Sequence, residues 1–472
     1  MSFISWDFKE VNMDTKDLSK FSIRTSDRRV FRRCLRKWDF QSSLRQNLTR
    51  AGTEQNINFW FGSAIHFCME DYHGYNLFDD PRRAFYAYYN AFKEDERPLG
   101  AEAHYDLGIS MLTYYLTWMR RHNAQTGFET VWFEPGTYNP VEPGTAGAVP
   151  ACEIEFFIPL NAWAVVDLER DRIINSVMQN PETGELVGAA PAGMGFVDEP
   201  QDFTWDGRKV RVVRIFYHGT IDRIVKDRFG RYWLWDYKTA KSADTAKLAT
   251  DDQVSAYLWA ARQIFPFDVY GFVYLQMTKS RAAEPKRLKN GELSCDKRQA
   301  TTYGLYREAL INDYGDVNSA PSKMIETLNH LAAQEEPEGD KFIRWDFVKR
   351  NSAQLDATER AIYGELSIML NPMLYCFPSP TRDCSWDCPF RDACIMMDSD
   401  DNDGLETFML DFKQRPHSED GNRDEWRDNI KWPSSNEDLL PIENVINFDA
   451  GMLPEYPEEE ASTFQFYYEE DC

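Results

Sequence analysis

The chain has no unbroken apolar run of the length a membrane helix needs, and its first residues lack a secretion-signal pattern. A soluble, cytoplasmic protein is therefore the expectation. No GxxxxGK[ST] stretch occurs, so no built-in nucleotide-driven motor is expected. No internal repeat is visible, which removes solenoids and propellers from consideration. Excess positive charge is missing too: 53 Lys and Arg face 77 Asp and Glu, a formal net charge of -24. That balance looks wrong for a nucleic-acid binder. The nine cysteines are odd in number and follow no secretion signal, which argues against a disulfide framework.

The charge is uneven, however. From Asp398 to Cys472 there are 22 acids and 5 bases, net -17, which leaves only -7 for the rest of the chain. Between Arg24 and Lys37 seven Arg or Lys stand against one acid, Asp27. At 472 residues the chain exceeds one ordinary domain and can bury a substantial core.

Residues 1–20 read as a loose leader, and 21–397 as the folded domain. Residues 24–40 read as one basic helix with Phe31, Trp38 and Phe40 interleaved. Further helices are expected over 59–73, 80–122 and 250–264, and strands over 151–160 and Val269–Met277. The segment 161–210 holds several Gly and Pro and reads as an insertion. A second insertion, 281–370, reads as mostly helical with a polar loop at 334–341. The acidic segment 398–472 has short aromatic islands but little periodicity, so disorder or loose docking is expected.

The most informative stretch is Gly219-Thr-Ile-Asp222-Arg-Ile-Val, a polar turn, then Trp233-Leu-Trp-Asp236-Tyr-Lys238-Thr. It reads as a β-hairpin with an acid on each arm. Residues two apart on a strand share a face, so Asp236 and Lys238 point the same way. Two carboxylates can hold a divalent cation, and a nearby ammonium can stabilise phosphorane charge, which suits phosphodiester hydrolysis. A D-x-K triplet is common on solvated strands. Here its flanks are Leu, Ile, Val and Trp, and a buried acid without a partner is costly, which favours a site.

His66 and Glu70 share a face at i and i+4. Taken alone, a core histidine and a surface acid are the plainer reading; with the hairpin downstream, His66 becomes a candidate ligand and Glu70 stays open. Gln253 and Tyr257 are also at i and i+4 and could hold a phosphate or a terminal base. Without other signals they read as an ordinary amphipathic helix. Cys384, Cys388 and Cys394 lie within eleven residues, a spacing that suits zinc or an iron–sulfur cluster. The fourth ligand would be Cys34, amid Arg33, Arg36 and Lys37, or locally Cys376.

In this order, Phe31-Arg-Arg-Cys34-Leu-Arg-Lys-Trp38, Gly62-Ser-Ala-Ile-His66, Gly219-Thr-Ile-Asp222, Asp236-Tyr-Lys238-Thr239, Gln253-x3-Tyr257 and the cysteine triplet resemble the RecB-like, iron–sulfur branch of the PD-(D/E)xK nucleases. AddB-type nuclease domains, CRISPR-associated exonucleases and phage relatives belong there. The resemblance implies an α/β fold, a restriction-endonuclease-like mixed sheet flanked by helices and stapled by the cluster. It implies Mg2+ or Mn2+ held by His66, Asp222, Asp236 and the Tyr237 carbonyl, with Lys238 catalytic. It makes Gln253 and Tyr257 DNA contacts, and Cys34, Cys384, Cys388 and Cys394 ligands of a [4Fe–4S] cluster, zinc being the lesser alternative. Arg28, Arg32, Arg33, Arg36 and Lys37 would track DNA. The expected activity is exonucleolytic hydrolysis of single-stranded DNA ends in recombination, repair or phage DNA processing. CRISPR-adaptation end processing beside an integrase, and a non-catalytic end-binding recombination partner, are the alternatives. The triplet spacing, x3 then x5, departs from the common x2 start.

Overall fold

The computed structural model describes residues 21–50, 56–180, 183–243, 245–334, 339–385, 388–414 and 425–442. The leader, the centre of the polar loop and the end of the acidic segment lie outside the described residues. The elements that matter here are β1 (Ser22–Ile23), α1 (Thr25–Arg33), α2 (Leu35–Gln41), α3 (Ile57–His73), α4 (Pro81–Ala91) and α5 (Ala101–Thr126). They are followed by β2 (Cys152–Asp167), β3 (Arg172–Gln179), β4 (Arg208–Lys226), β5 (Tyr232–Ala240), α6 (Asp252–Ile264) and β6 (Val269–Thr278). The rest are α7 (Tyr303–Tyr314), α8 (Ser322–Ala332), β7 (Ile343–Val348), α9 (Ser352–Met369), α10 (Arg391–Asp398), α11 (Asn402–Met409) and α12 (Glu425–Asp428).

A mixed sheet runs through the molecule in the order β7-β6-β5-β4-β2-β3. β5 and β6 are parallel, with α6 as their crossover; the other neighbours in this row are antiparallel. The alternation along β5 explains its burial on both sides. Leu234, with Phe272 and Val348, enters a core capped by α6 and α9 through Trp259, Ile362 and Leu366. Trp233 and Trp235, with Val273, Leu275 and Trp345, enter a second core built on α3, α4 and α5. A smaller cluster joins α7 and α8 through Tyr306, Leu310 and Leu328. This large mixed sheet flanked by helices is consistent with a restriction-endonuclease-like fold. None of the described helices is long and apolar enough to cross a membrane.

Three sequence expectations change in detail. The basic stretch is two helices, not one: Cys34 is extended between them, its amide closing α1 on Val30 O (2.8 Å) and its Sγ accepting from Lys37 N at the start of α2. The stretch 80–122 also divides, because Gly100 takes φ 84, a left-handed turn that glycine adopts without strain. Much of 161–210 extends the sheet: β2 continues to Asp167, β3 pairs with it, and β4 already starts at Arg208.

The acidic segment is not wholly loose. Phe412–Gln414 pairs with Leu48–Arg50. Trp426 is 8% exposed and packs against Phe67, Tyr88 and Phe92 of the second core. Apolar burial of an aromatic outweighs the local acidity there.

Candidate active site and metal centre

The β4–β5 ladder ends at the pair Arg223–Trp235. The strands part immediately beyond it, at Asp222 and Asp236, and the site lies in this fork. Asp222 stays close to β5, where its Oδ2 accepts from Tyr237 N at 2.8 Å. The Tyr237 carbonyl accepts from His66 Nε2 at 2.9 Å. A carbonyl can only accept, so Nε2 carries the hydrogen and Nδ1 is turned to the acids. Nδ1 stands 3.5 Å from Asp222 Oδ2 and 3.5 Å from Glu153 Oε1. His66, Glu153 and Asp222 each offer one ligand atom, all within 4.8 Å of one another. Glu153 reaches this point from a left-handed backbone (φ 50) at the start of β2.

Asp236 is 1% exposed. Its Oδ1 accepts from Lys238 Nζ at 2.7 Å and from Gln253 Nε2 at 3.1 Å. Its Oδ2 is buried and without a hydrogen-bond partner, a costly state unless a cation or proton completes it. Gln253 is aimed at the site because Asp251 caps α6, accepting from the amides of Gln253 (2.8 Å) and Val254 (3.1 Å). Tyr257 follows one turn on. A Cβ at Gly219 would meet the Tyr257 ring at 3.2 Å and Phe156 at 2.6 Å, so a glycine is required for α6 to lie this close to β4.

The charges are strongly coupled. Burial alone would lower His66, but Asp222 and Glu153 outweigh it and raise the imidazole to about 9. Burial raises Asp236 to about 6, with Lys238 opposing. Asp222 is raised by burial, against the pull of His66. Burial works against the Lys238 ammonium, yet Asp236 and Asp222 hold it well above its ordinary value. Behind the fork, Tyr237 is held by its neighbours: its ring stacks on His73, Arg223 Nη1 donates to its hydroxyl at 3.4 Å, and His73 Nε2 lies 2.6 Å from the Tyr115 hydroxyl. This fixes the residue whose backbone holds both Asp222 and His66.

The structure brings His66, Asp222, Asp236, Tyr237, Lys238, Gln253 and Tyr257 together. It turns Glu70 away, onto Arg427 at 2.7 Å. Several basic residues proposed for DNA are already paired with acids. Arg28 is 0% exposed and pairs with Glu365 (2.7 Å) and Asp252 (3.2 Å). Arg32 bridges the same two acids, and Arg36 pairs with Asp398 at 2.9 Å. Arg33 and Lys37 are half-buried. Sequence reasoning missed Glu153, because the alternation of its strand sets it opposite the buried Ile154 and Phe156 and gives no sign of the left-handed turn that brings it to His66.

The cysteines do not form a compact metal group. Among the described residues, the group of three or more His, Cys, Asp or Glu ligand atoms within 4.8 Å contains no sulfur. Burial raises the Cys388 and Cys394 thiols, with Cys384 and Cys34 adding to the first and Cys388 and Cys34 to the second. An iron–sulfur cluster is not shown.

A family model for the PD-(D/E)XK nuclease superfamily matches residues 25–395. The match spans most of the chain, and the chain belongs to this superfamily, whose members are generally metal-dependent nucleases. No curated protein matches the sequence.

Proposed function

We propose that the protein is a divalent-metal-dependent deoxyribonuclease that degrades single-stranded DNA from its ends, in recombination, repair or phage DNA processing. The observation that carries this reading is the His66–Glu153–Asp222 group beside Asp236 and Lys238. Its oxygen-rich donors and the buried, unpartnered Asp236 Oδ2 fit Mg2+ or Mn2+. His66 Nδ1, Glu153, Asp222 and Asp236 would hold the ion, and the Tyr237 carbonyl, taken by His66 Nε2, would orient the imidazole rather than reach the ion. When bound, such an ion supplies Lewis-acid polarisation of the scissile phosphate.

The chain's own residues do the rest. Asp236 fixes the Lys238 ammonium, which stays charged and stabilises the negative charge developing on the phosphate. Gln253 holds Asp236 in place and, with Tyr257, faces the terminal nucleotide. A non-catalytic end-binding protein is disfavoured by the complete set of acids and lysine. CRISPR-adaptation end processing would use the same chemistry. The test is cleavage of end-labelled single strands with Mn2+, beside circular single strands, which an exonuclease leaves intact.

We also propose a [4Fe–4S] cluster on Cys34, Cys384, Cys388 and Cys394. The spacing of the triplet in the sequence, with the effect of Cys34 and a triplet neighbour on each of Cys388 and Cys394, supports it. A cluster places iron and sulfide between its ligands, so its sulfurs need not crowd as around one ion. Zinc on the same thiolates is the alternative, and colour separates the two.

A further inference from the structure

Beyond Lys238, where β5 and β6 end side by side, the backbone brings Lys241 and Lys279 to neighbouring positions. Lys279 N donates to Ala240 O at 2.6 Å, which places Lys279 next to the residue preceding Lys241. Lys279 Nζ donates to Asn58 Oδ1 at 2.8 Å and stands 5.3 Å over the Phe61 ring, and both neighbours are uncharged. Lys279 is half-buried, and burial together with Lys241 holds its ammonium below the usual value. Among the described residues neither lysine has a carboxylate partner.

Half-buried Arg214, Arg231 and Arg427 meet Asp198, Asp227 and Glu70, whereas Arg223 and Arg350, like Lys279, are held by neutral groups. Lys241 is exposed and Lys279 half-buried, and their like charges oppose each other in the free protein. An anion between them would offset that repulsion. Their position says which anion. Lys241 follows Lys238 by three residues, about 10 Å along an extended chain, on the open side of the fork where a polynucleotide must continue. Phe59, on the same turn of α3 as Asn58, is 76% exposed and free to stack on a base.

We propose that Lys241, Lys279 and Asn58 form a phosphate subsite that holds the DNA backbone next to the scissile phosphate, with Phe59 against the attached base. This rests on the nuclease reading above. The test uses the full chain and a fluorescein-labelled oligothymidine, in EDTA so that nothing is cut. Affinity is measured over a range of salt. The Lys241→Gln, Lys279→Gln double variant should flatten the plot of log affinity against log salt by about 1.4, two contacts at about 0.7 each on a single strand. The control removes equal charge from exposed positions far along the chain, Lys323→Gln with Lys431→Gln. The Lys241→Arg, Lys279→Arg double variant should keep the wild-type slope. Phe59→Ala should weaken binding without moving the slope. With Mn2+ present, KM of the glutamine double variant should rise more than kcat falls. A slope or KM change no larger than the control's overturns the subsite. A wild-type protein that shows the slope difference but cuts nothing keeps the subsite and removes the nuclease reading. The reverse pattern removes the subsite alone.

Discussion

Replacing Glu153 with glutamine keeps the side chain's shape and removes one of the two carboxylates facing His66 Nδ1 at 3.5 Å. A charge pair at that distance is worth about 5 kcal/mol at an effective dielectric near 20. Burial opposes it, and the His66 side chain is 30% exposed, so water screens part of the attraction. The balance raises His66 from 6.5 to about 9, a net of roughly 3 kcal/mol left after burial and Lys238 have opposed Asp222 and Glu153. Losing one carboxylate should move the His66 titration down by about one pH unit in the metal-free protein. The sign follows. A raised histidine stabilises the fold fully below pH 6.5, and that contribution is lost as pH rises through about 9. In Glu153→Gln the contribution is smaller and its loss is complete at lower pH. The same proton competes with a divalent ion, so loading Mn2+ at neutral pH should release protons. Apparent Mn2+ affinity should fall at least about 10–100-fold in the variant. NMR titration of the imidazole and calorimetry with Mn2+ read both effects. An unchanged His66 titration together with unchanged Mn2+ affinity would refute the assignment of Glu153 to this centre.

Gln253→Ala removes the 3.1 Å hydrogen bond to Asp236, a loss of about 1.5–3 kcal/mol for a charged acceptor; cleavage should slow and Mn2+ affinity should fall by about 10-fold or more, because Asp236 is one of the acids that would hold the ion, and wild-type values of both would remove Gln253 from the site. Trp426→Ala should cost about 3–5 kcal/mol, seen as a lower melting temperature, because its ring fills a gap against Phe67 and Tyr88; a wild-type melting curve would mean that the docked 425–442 segment contributes no stability. Purified under low oxygen, the protein should be brown, and Cys34→Ala should bleach it as fully as Cys388→Ala; a colourless zinc protein, or a Cys34→Ala variant that keeps its colour, contradicts the four-thiolate proposal.

The hairpin was legible because its acids interrupt an alternation of Ile, Leu, Val and Trp that only burial explains. The lysine two residues after Asp236 fell on the same face for the same reason, and the 2.7 Å contact follows from strand geometry. Glu153 was harder: its arrival depends on a left-handed kink at the head of β2 and on a helix far away in sequence. Charge alone also misled. Arg28 and Arg36 look like a DNA-tracking face until Glu365, Asp252 and Asp398, all distant in sequence, are brought against them. Trp426 sits amid acids with no periodic pattern, so nothing local announces that it joins a core formed by α3 and α4.

The most direct test of the central claim is the fate of an end-labelled single-stranded oligonucleotide with Mn2+, comparing the wild-type chain with Asp236→Ala and Lys238→Ala. The wild type should shorten it progressively and lose that activity on chelation, and neither folded variant should give product. Cleavage by Asp236→Ala at the wild-type rate, or none by the metal-loaded wild type, would contradict that claim.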